Sequence, residues 1–264
     1  MSDQAKLQPV SADLSLGASA IPRVHSGETY TSVLSRLAST RAVRRYLEIG
    51  VCTGDSLAQI SCDRALGVDP DFRLSHNVAA GKRDVRLFQM PSDLFFAEID
   101  AAAALGGPVD FAFLDGMHQF EYLLRDFYNT ERISSPKALI AIHDCLPLSE
   151  AMIQRSAEEA IQLGQGSAHE GWWTGDVWKV VVILRALRPD LRVICVDAPP
   201  TGLVFVSNLD PSNDTLERDY CAIVDQYAAL PNSMDGLAEF YRSIEIMPTA
   251  HILNAWDHSL YFRA

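Results

Sequence analysis

Short apolar segments alternate with amphipathic segments along most of the chain. Strand-like apolar patterns lie at residues 45–50, 65–69, 85–90, 108–115, 138–144, 191–197 and 202–207. Helical periodicity lies before, between and after them, at residues 29–44, 55–61, 92–105, 119–133 and 177–187. Several of these strands are apolar almost throughout, which is typical of a parallel sheet covered by helices on both faces. The pattern therefore predicts an α/β fold with a mostly parallel seven-stranded sheet.

The regular alternation of strand and helix breaks after residue 144. Residues 145–175 form a long insertion that contains a predicted helix at 149–163. Residues 1–25 are polar and rich in Ala and Ser, and residues 209–264 have mainly helical patterns. We therefore predict a flexible N-terminal arm at 1–25, a central domain at 26–208 with the insertion on its substrate side, and a helical C-terminal extension at 209–264.

Charge and cysteine content narrow the class of protein. The 264 residues carry a formal net charge of -12, which argues against a partner with a phosphate backbone. The five cysteines are scattered without a C-x-x-C motif, which indicates a reducing compartment. The chain shows no secretory signal and no apolar run of the ~20 residues that span a bilayer. We expect a cytoplasmic protein that acts on a small molecule without nucleic acid or membrane, with a homo-oligomer left open.

The stretch RYLEIGVCTGDSLAQI, residues 45–60, leads from an apolar strand through a glycine turn into a helix. Gly50 and Gly54 bracket the turn, and Glu48 stands near the end of the strand. Glycines at such a turn let the backbone approach a ligand, and the new helix directs its free N–H groups toward the same gap. This arrangement favours a nucleotide-like cofactor.

The spacing within the turn discriminates between cofactors. Dinucleotide sites use G-x-G-x-x-G, but here Cys52 occupies the middle glycine position. Glu48 would repel a phosphate and would suit an ammonium group, such as that of the methionine part of S-adenosylmethionine. Asp69, 19 residues after Gly50, stands at the tip of the second strand, where it could accept hydrogen bonds from ribose hydroxyls. Asp69 could instead be a turn or helix-capping residue.

Motifs over residues 30–207 resemble those of the class I S-adenosylmethionine-dependent methyltransferases. The resemblance rests on Glu48-x-Gly50-x-x-x-Gly54, on Asp69, and on LDGMHQFEYLLRDF with ALIAIHDC, which match the branch with D-G-x-H after strand four and H-D after strand five. It implies a Rossmann-like, doubly wound fold and a cofactor contacted by Glu48, Gly50, Gly54, Asp69, Ser92 and Asp115. The chain departs from the family at Cys52 and in MPSD, which stands in place of a G-D-A-like adenine contact.

Polar residues follow the fourth and fifth strands. Asp115, His118, His143 and Asp144 lie at or just past strand ends, which the family's strand order places side by side. His143 or His118, aided by Asp115, could act as a general base on an acceptor hydroxyl. Asp115, His143 and Asp144 could instead hold Mg²⁺ or another divalent cation that lowers the pKa of that hydroxyl. A third interpretation is structural, with His118 capping a helix and His143 packed at a strand end.

The loop EGWWTGDVWK offers a candidate acceptor surface. Trp172 and Trp173 could form a platform for a sugar or an aromatic ring, or could merely cover the sheet. Asp176 could cap the following helix. Taken with the resemblance, the candidate site residues predict O-methylation of a hydroxyl of a sugar or secondary metabolite. The alternatives are a nicotinamide-dependent reductase and a non-catalytic cofactor-binding module.

Overall fold

A mixed eight-stranded sheet organises the part of the chain that the structure, a computed structural model, describes: residues 20–254 and 260–262. The strands are β1 (Arg45–Ile49), β2 (Arg64–Val68), β3 (Asp84–Phe88), β4 (Val109–Leu114), β5 (Ser134–His143), β6 (Arg192–Val196), β7 (Leu203–Ser207) and β8 (Ile246–Met247). Their order is β3-β2-β1-β4-β5-β7-β6-β8. Strand β7 runs antiparallel to its neighbours β5 and β6, and the other neighbouring strands pair in parallel. The predicted α/β, Rossmann-like, mostly parallel sheet is confirmed, with the two-residue β8 added to the seven expected strands.

Eleven helices accompany the strands within the described residues. They are α1 (Tyr30–Thr40), α2 (Asp55–Gln59), α3 (Ser92–Glu98), α4 (Ala101–Leu105), α5 (Phe120–Arg132), α6 (Ala157–Gly164), α7 (Trp178–Leu187), α8 (Thr215–Arg218), α9 (Tyr220–Ala228), α10 (Met234–Ser243) and α11 (Thr249–Leu253). None of the helices described is long and apolar enough to cross a membrane.

Successive side chains of β4 enter two different hydrophobic cores. Ala112 and Leu114 belong to a core that includes α5 and α7, whereas Phe111 and Phe113 belong to a core that includes α1. Because neighbouring residues of a strand point to opposite faces, this division shows that helices cover both faces of the sheet. The sheet is therefore doubly wound.

The chain reverses direction along the sheet between β1 and β4. From β1 the chain moves outward to β2 and β3, and it then returns to place β4 on the other side of β1. In open α/β sheets, ligands bind beyond the carboxyl ends of the strands at such a switch point. The topology therefore predicts a ligand site among the loops that follow β1, β2, β4 and β5.

Two predicted helices differ in extent from those observed. The segment 92–105 forms α3 and α4, because Asp100 starts a new helix by accepting a hydrogen bond from Ala103 N at 2.9 Å. The segment 149–163 is helical only from Ala157, where Ser156 accepts a hydrogen bond from Glu159 N at 3.3 Å. Both starts are set by a capping side chain inside an apparently continuous helical pattern.

The chain ends contribute to the same two cores. In the C-terminal extension predicted at 209–264, Leu237 and Phe240 of α10 are buried in the core that contains α5. Of the arm predicted to be flexible at 1–25, residues 1–19 lie outside the described residues. Within the described part, His25 is buried and its Nε2 lies 2.9 Å from Leu146 O.

Candidate functional site

The turn after β1 requires glycine at residue 50. Gly50 has a φ of +87°, and a Cβ there would lie 1.9 Å from the carbonyl oxygen of Asp115. The turn is thereby pressed against the end of β4. Gly54 also has a positive φ, +79°, and starts α2, but it packs against Val78 on the far side of the turn. The two glycines therefore have different environments, and only Gly50 lines the adjacent cavity.

Asp69, the residue that follows β2, stabilises the same turn through hydrogen bonds. Its Oδ2 accepts a hydrogen bond from Cys52 N at 2.8 Å, and its Oδ1 accepts one from Asp71 N at 2.7 Å. Cys52 has a φ of +44°, a conformation that few non-glycine residues adopt. Because a carboxylate has about four lone-pair sites, Asp69 can still accept from a ligand in the cavity that it lines.

Glu48 lies behind the turn. Tyr46 Oη and Ser56 Oγ each donate a hydrogen bond of 2.6 Å to its carboxyl oxygens, and the side chain is fully buried. Burial raises the pKa of Glu48 to about 7, against the opposing effect of these two hydroxyls. Glu48 is not among the residues that line the cavity, so its contact with a cofactor ammonium stays a prediction.

A cavity of about 560 Å³ opens at the carboxyl edge of the sheet. It joins the glycine turn to the ends of β2, β4 and β5 and to the loop after β3. Six of the predicted site residues line it: Gly50, Asp69, Ser92, Asp115, His118 and Asp144. Met90, Met117 and Tyr122 give it an apolar wall. A largely apolar cleft with a few convergent polar groups is typical of small-molecule sites.

The ends of β4 and β5 bring four charged side chains together. His143 Nδ1 lies 3.2 Å from Asp115 Oδ1 and 3.3 Å from Asp144 Oδ1. His118 Nε2 lies 3.1 Å from Asp144 Oδ2 and 3.6 Å from Asp115 Oδ1. The two imidazoles thus share the two carboxylates. We call Asp115, His118, His143 and Asp144 the charged cluster.

Neighbouring elements hold the charged cluster in place. The Thr201 hydroxyl, just before β7, donates to Asp144 Oδ1 at 2.5 Å and lies 3.4 Å from His143 Nε2. Asp144 itself has a φ of +59°, which directs its carboxylate into the cluster. The Tyr30 ring covers His143 with ring centroids 4.3 Å apart. No sequence motif pointed to Thr201 or Tyr30, which lie 58 and 113 residues from His143.

The mutual contacts shift the pKa values of the cluster. Burial alone would lower the pKa of each histidine, but Asp144 and Asp115 raise the pKa of both His118 and His143 to about 9. Burial would raise the pKa of Asp115, but the two histidines lower it below its usual range. At pH 7 both rings are therefore protonated as the cluster stands, and they donate hydrogen bonds rather than accept protons.

Three members of the cluster could also hold a cation. Ligand atoms of Asp115, His118 and Asp144 all lie within 4.8 Å of one another. The cation site predicted from the sequence has His143 in place of His118. Among the described residues His143 is not part of this group, and its role as a cation ligand stays a prediction. Two carboxylates and one imidazole suit a divalent metal with mixed oxygen and nitrogen ligands, and the all-oxygen preference of Mg²⁺ makes this an imperfect magnesium set.

The loop that contains Trp172 and Trp173 contacts His118 from outside the cavity. Trp173 O lies 2.9 Å from His118 Nδ1, and the two rings pack at 4.9 Å. Trp173 Nε1 donates to Gln154 O at 2.7 Å, whereas Trp172 is 38% exposed. Neither ring is among the cavity-lining residues, so a paired platform for the acceptor stays a prediction.

Asp176 does not cap the helix that follows it. The N-cap of α7 is Val177, which makes no side-chain capping bond. Asp176 Oδ1 instead accepts from Phe120 N, the first residue of α5, at 3.1 Å. Its Oδ2 lies 3.2 Å from Lys179 Nζ and is also paired with Arg155. The prediction that Asp176 caps α7 was therefore wrong. Tertiary packing instead brings the start of α5 to this carboxylate.

Comparison with known proteins adds a family match over the site. Residues 47–145, from within β1 to just beyond β5, match the family model described as "Methyltransferase domain". This segment is therefore similar to a methyltransferase domain. The matched segment includes the glycine turn, Asp69 and the charged cluster. The match confirms the family predicted from the motifs and agrees with S-adenosylmethionine as its cofactor.

Solved structures similar to this methyltransferase domain are distant in sequence. Cofactor-bound Rv0187 from MTB is 16% identical over 77% of this chain and 89% of its own, with a TM-score of 0.49. An O-methyltransferase from Bacillus cereus in complex with SAH is 18% identical over 73% and 87%, with a TM-score of 0.48. The O-methyltransferase TomG from Streptomyces achromogenes, in complex with SAM, is 17% identical over 76% and 91%, with a TM-score of 0.46. Likenesses this low carry no argument about substrate. No curated protein matches the sequence.

Proposed function

We propose that this chain transfers the methyl group of S-adenosylmethionine to a hydroxyl of a small molecule, a sugar or a secondary metabolite. The observation that carries the proposal is one continuous cavity that joins the glycine turn and Asp69 to Asp115, His118 and Asp144. A cofactor seated along the turn would extend toward the charged cluster, where an acceptor can be positioned and its proton removed.

The residues present fit the cofactor. Gly50 leaves a backbone surface without a side chain, and Asp69 offers free lone pairs beside it. The apolar wall of Met90, Met117 and Tyr122 suits the face of a purine ring. Cys52 occupies the middle glycine position of a pyrophosphate-binding turn, which favours S-adenosylmethionine over a dinucleotide. When bound, S-adenosylmethionine supplies an electrophilic methyl group to an attacking oxygen.

The charged cluster supplies two routes for handling the acceptor proton. With both histidines protonated, a hydroxyl at the cavity mouth can donate to the carboxylate of Asp144 or Asp115, and transfer becomes faster as a histidine loses its proton. In the second route, Asp115, His118 and Asp144 would hold a divalent cation in place of the proton on His118, and the cation would supply Lewis acidity that lowers the pKa of the acceptor hydroxyl. We favour the second route, because two carboxylates beside one imidazole make a better cation site than a base requires.

Binding measurements test the proposal directly. The full chain should bind S-adenosylmethionine and S-adenosylhomocysteine by calorimetry and should not bind NAD or NADP. Incubation with S-adenosylmethionine labelled in its methyl group and a panel of sugars and phenols should transfer label to an oxygen. Binding of a nicotinamide cofactor instead would overturn the proposal in favour of a reductase. Cofactor binding without transfer to any class of acceptor, with and without Mg²⁺ or Mn²⁺, would favour a non-catalytic module.

A further inference from the structure

A second cavity, of about 230 Å³, lies at the amino ends of β1, β2 and β3. It is at the opposite edge of the sheet from the glycine turn, which follows the carboxyl end of β1. Four of its eight lining residues are arginines, and two are aspartates: Arg44, Arg45, Arg64, Arg83, Asp63 and Asp84. We call it the arginine cavity. Its lining has an excess of two positive charges in a chain whose formal net charge is -12.

Ion pairs with aspartates leave two of these arginines without a counter-charge. Three pairs form at this edge of the sheet: Arg44 with Asp63 at 3.0 Å, Arg45 with Asp110 at 2.8 Å and Arg86 with Asp84 at 3.3 Å. By contrast, Arg64 and Arg83 form no ion pair with any residue that the structure describes. The excess charge of the arginine cavity therefore resides on the guanidinium groups of Arg64 and Arg83.

Two of the guanidinium groups are packed against glycine backbone. Arg64 Nη1 donates to Leu105 O at 3.0 Å, and a Cβ at Gly106 would lie 2.1 Å from the same nitrogen. A Cβ at Gly107 would lie 2.5 Å from Arg45 Nη1. Arg45 Nε is buried and has no hydrogen-bond partner within the described part of the chain. These donors are held in place before a ligand binds, which lowers the entropy cost of binding one.

Strand register places like charges side by side. Arg45 of β1 is paired in register with Arg64 of β2, and Arg83 immediately precedes the residue of β3 that is paired with Arg64. Adjacent like charges on neighbouring strands repel each other, so a bound anion would stabilise this edge of the sheet.

The number and type of the donors indicate which anion fits. A guanidinium group offers parallel N–H donors that match two oxygens of a phosphate, and an excess of two positive charges equals the charge of one phosphate dianion. We propose that the arginine cavity binds the dianionic phosphate group of a small ligand through Arg45, Arg64 and Arg83. The ligand is either free inorganic phosphate or a metabolite that ends in a phosphate monoester. This inference does not rest on the proposed methyl transfer.

Calorimetry on the full chain tests the site with inorganic phosphate. At about pH 8, where a phosphate group is mainly a dianion, the wild-type chain should bind it with a Kd of ~0.1–1 mM, as expected of a few charge-assisted hydrogen bonds at a site open to water. Acetate, a monoanion, should bind at least ~10-fold more weakly. Ribose 5-phosphate is the second probe, and its affinity relative to that of phosphate distinguishes a phosphorylated metabolite from the free anion.

Substitutions of single arginines test the assignment to this cavity. Arg64→Gln and Arg83→Gln should each weaken phosphate binding by at least ~5-fold, because each removes a charge-assisted donor. Arg242→Gln is the matched control. Arg242 is exposed on α10 and does not line the arginine cavity, and its substitution changes the net charge by the same amount. Its phosphate affinity should stay within ~2-fold of wild type.

The possible results decide the inference separately from the proposed function. Absence of phosphate binding to the wild-type chain, unchanged affinity in Arg83→Gln, or an equal loss in Arg242→Gln would overturn it. If Arg64→Gln does not fold, Arg83→Gln decides, because the Arg83 side chain makes no hydrogen bond to a described residue. Displacement of phosphate by S-adenosylhomocysteine would place the anion in the other cavity and would also overturn it. Failure to bind S-adenosylhomocysteine would overturn the proposed function alone.

Discussion

The two ends of the cavity are built in different ways. Around the glycine turn, the chain uses backbone conformation and one carboxylate, Asp69, that bonds to the N–H groups of Cys52 and Asp71. Around the charged cluster, it uses ionisable side chains that pair with each other, such as His118 and Asp144 at 3.1 Å. In the proposed function the first end binds the cofactor, whereas the second end concentrates ionisable groups where the acceptor would react. Substitutions should therefore be able to disturb cofactor binding and methyl transfer separately.

The largest effect is expected from disrupting the charged cluster. If it holds a cation, EDTA should abolish methyl transfer, Mn²⁺ or Mg²⁺ should restore it, and Asp144→Asn should lower kcat by ~10²–10⁴-fold. Affinity for S-adenosylhomocysteine should stay within ~2-fold, because the glycine turn is untouched. Turnover that survives EDTA but falls by a similar factor in His118→Ala would replace the cation by a histidine base. Equal loss of cofactor affinity in Asp144→Asn would contradict the separation of the two ends.

A comparably strong effect at the cofactor end is expected from Gly50→Ala. The added Cβ would lie 1.9 Å from the carbonyl oxygen of Asp115, so the backbone must move. We expect a loss of about 3 kcal/mol in the free energy of unfolding and a marked loss of cofactor binding. Gly166→Ala is the matched control, because Gly166 has a φ of +71° with no atom within 4 Å of an added Cβ. That variant should lose only about 1 kcal/mol in urea unfolding, and equal losses would show that strain rather than contact governs residue 50.

A smaller change in binding is expected from Asp69→Ala. Removing the carboxylate takes away its bonds to Cys52 N and to the ribose, and should weaken S-adenosylhomocysteine binding by ~1–3 kcal/mol in calorimetry. The kcat at saturating cofactor should change little, because Asp69 does not touch the charged cluster. Undiminished affinity would refute the assignment of Asp69 to the ribose. Asp71→Ala, which alters an exposed ion pair with Arg73 outside the cavity, should leave affinity nearly unchanged.

The smallest effects are expected in the pH dependence of the free energy of unfolding. The two ends of the cavity should lose stability over different pH ranges. Glu48 has a folded pKa of about 7 against an ordinary value of 4.5, and His143 one of about 9 against 6.5. A raised folded pKa means that the stabilisation is present below the unfolded value and is lost as pH rises through the folded value. Stability should therefore fall as pH rises through each window, from pH 4.5 to about 7 for Glu48 and from 6.5 to about 9 for His143.

Substitutions assign each pH window to its end of the site. Glu48→Gln should reduce the pH dependence of the unfolding free energy only in the lower window, where Asp126 also titrates, and His143→Gln only in the upper window, where His118 also titrates. Each substitution preserves the approximate size of the side chain, so the comparison rests on charge. Flattening of the same window by both variants would show that the two groups titrate as one unit.

Local sequence patterns predicted one end of the cavity much better than the other. The strand, the glycine turn and Asp69 lie within 25 residues, and their backbone preferences are legible from residue type alone. The strand order and the family motifs also placed Asp115, His118, His143 and Asp144 at one edge of the sheet. The pattern predicted His143 as the histidine that joins the carboxylates in a cation site, and it did not indicate that His118 also lies in position to do so. That choice depends on loop conformation, including the positive φ of Asp144 and the contact between His118 and Trp173.

By itself, the sequence determined the α/β class, the mostly parallel sheet, the cofactor turn and the residues at the strand ends. These features follow from periodicity and from conformational preferences that act over a few residues. Only the tertiary structure brought Thr201 and Tyr30 to His143 and Asp176 to the start of α5. Such contacts join residues that are tens of positions apart, so they depend on strand order and on the face to which each side chain points, which no local pattern encodes.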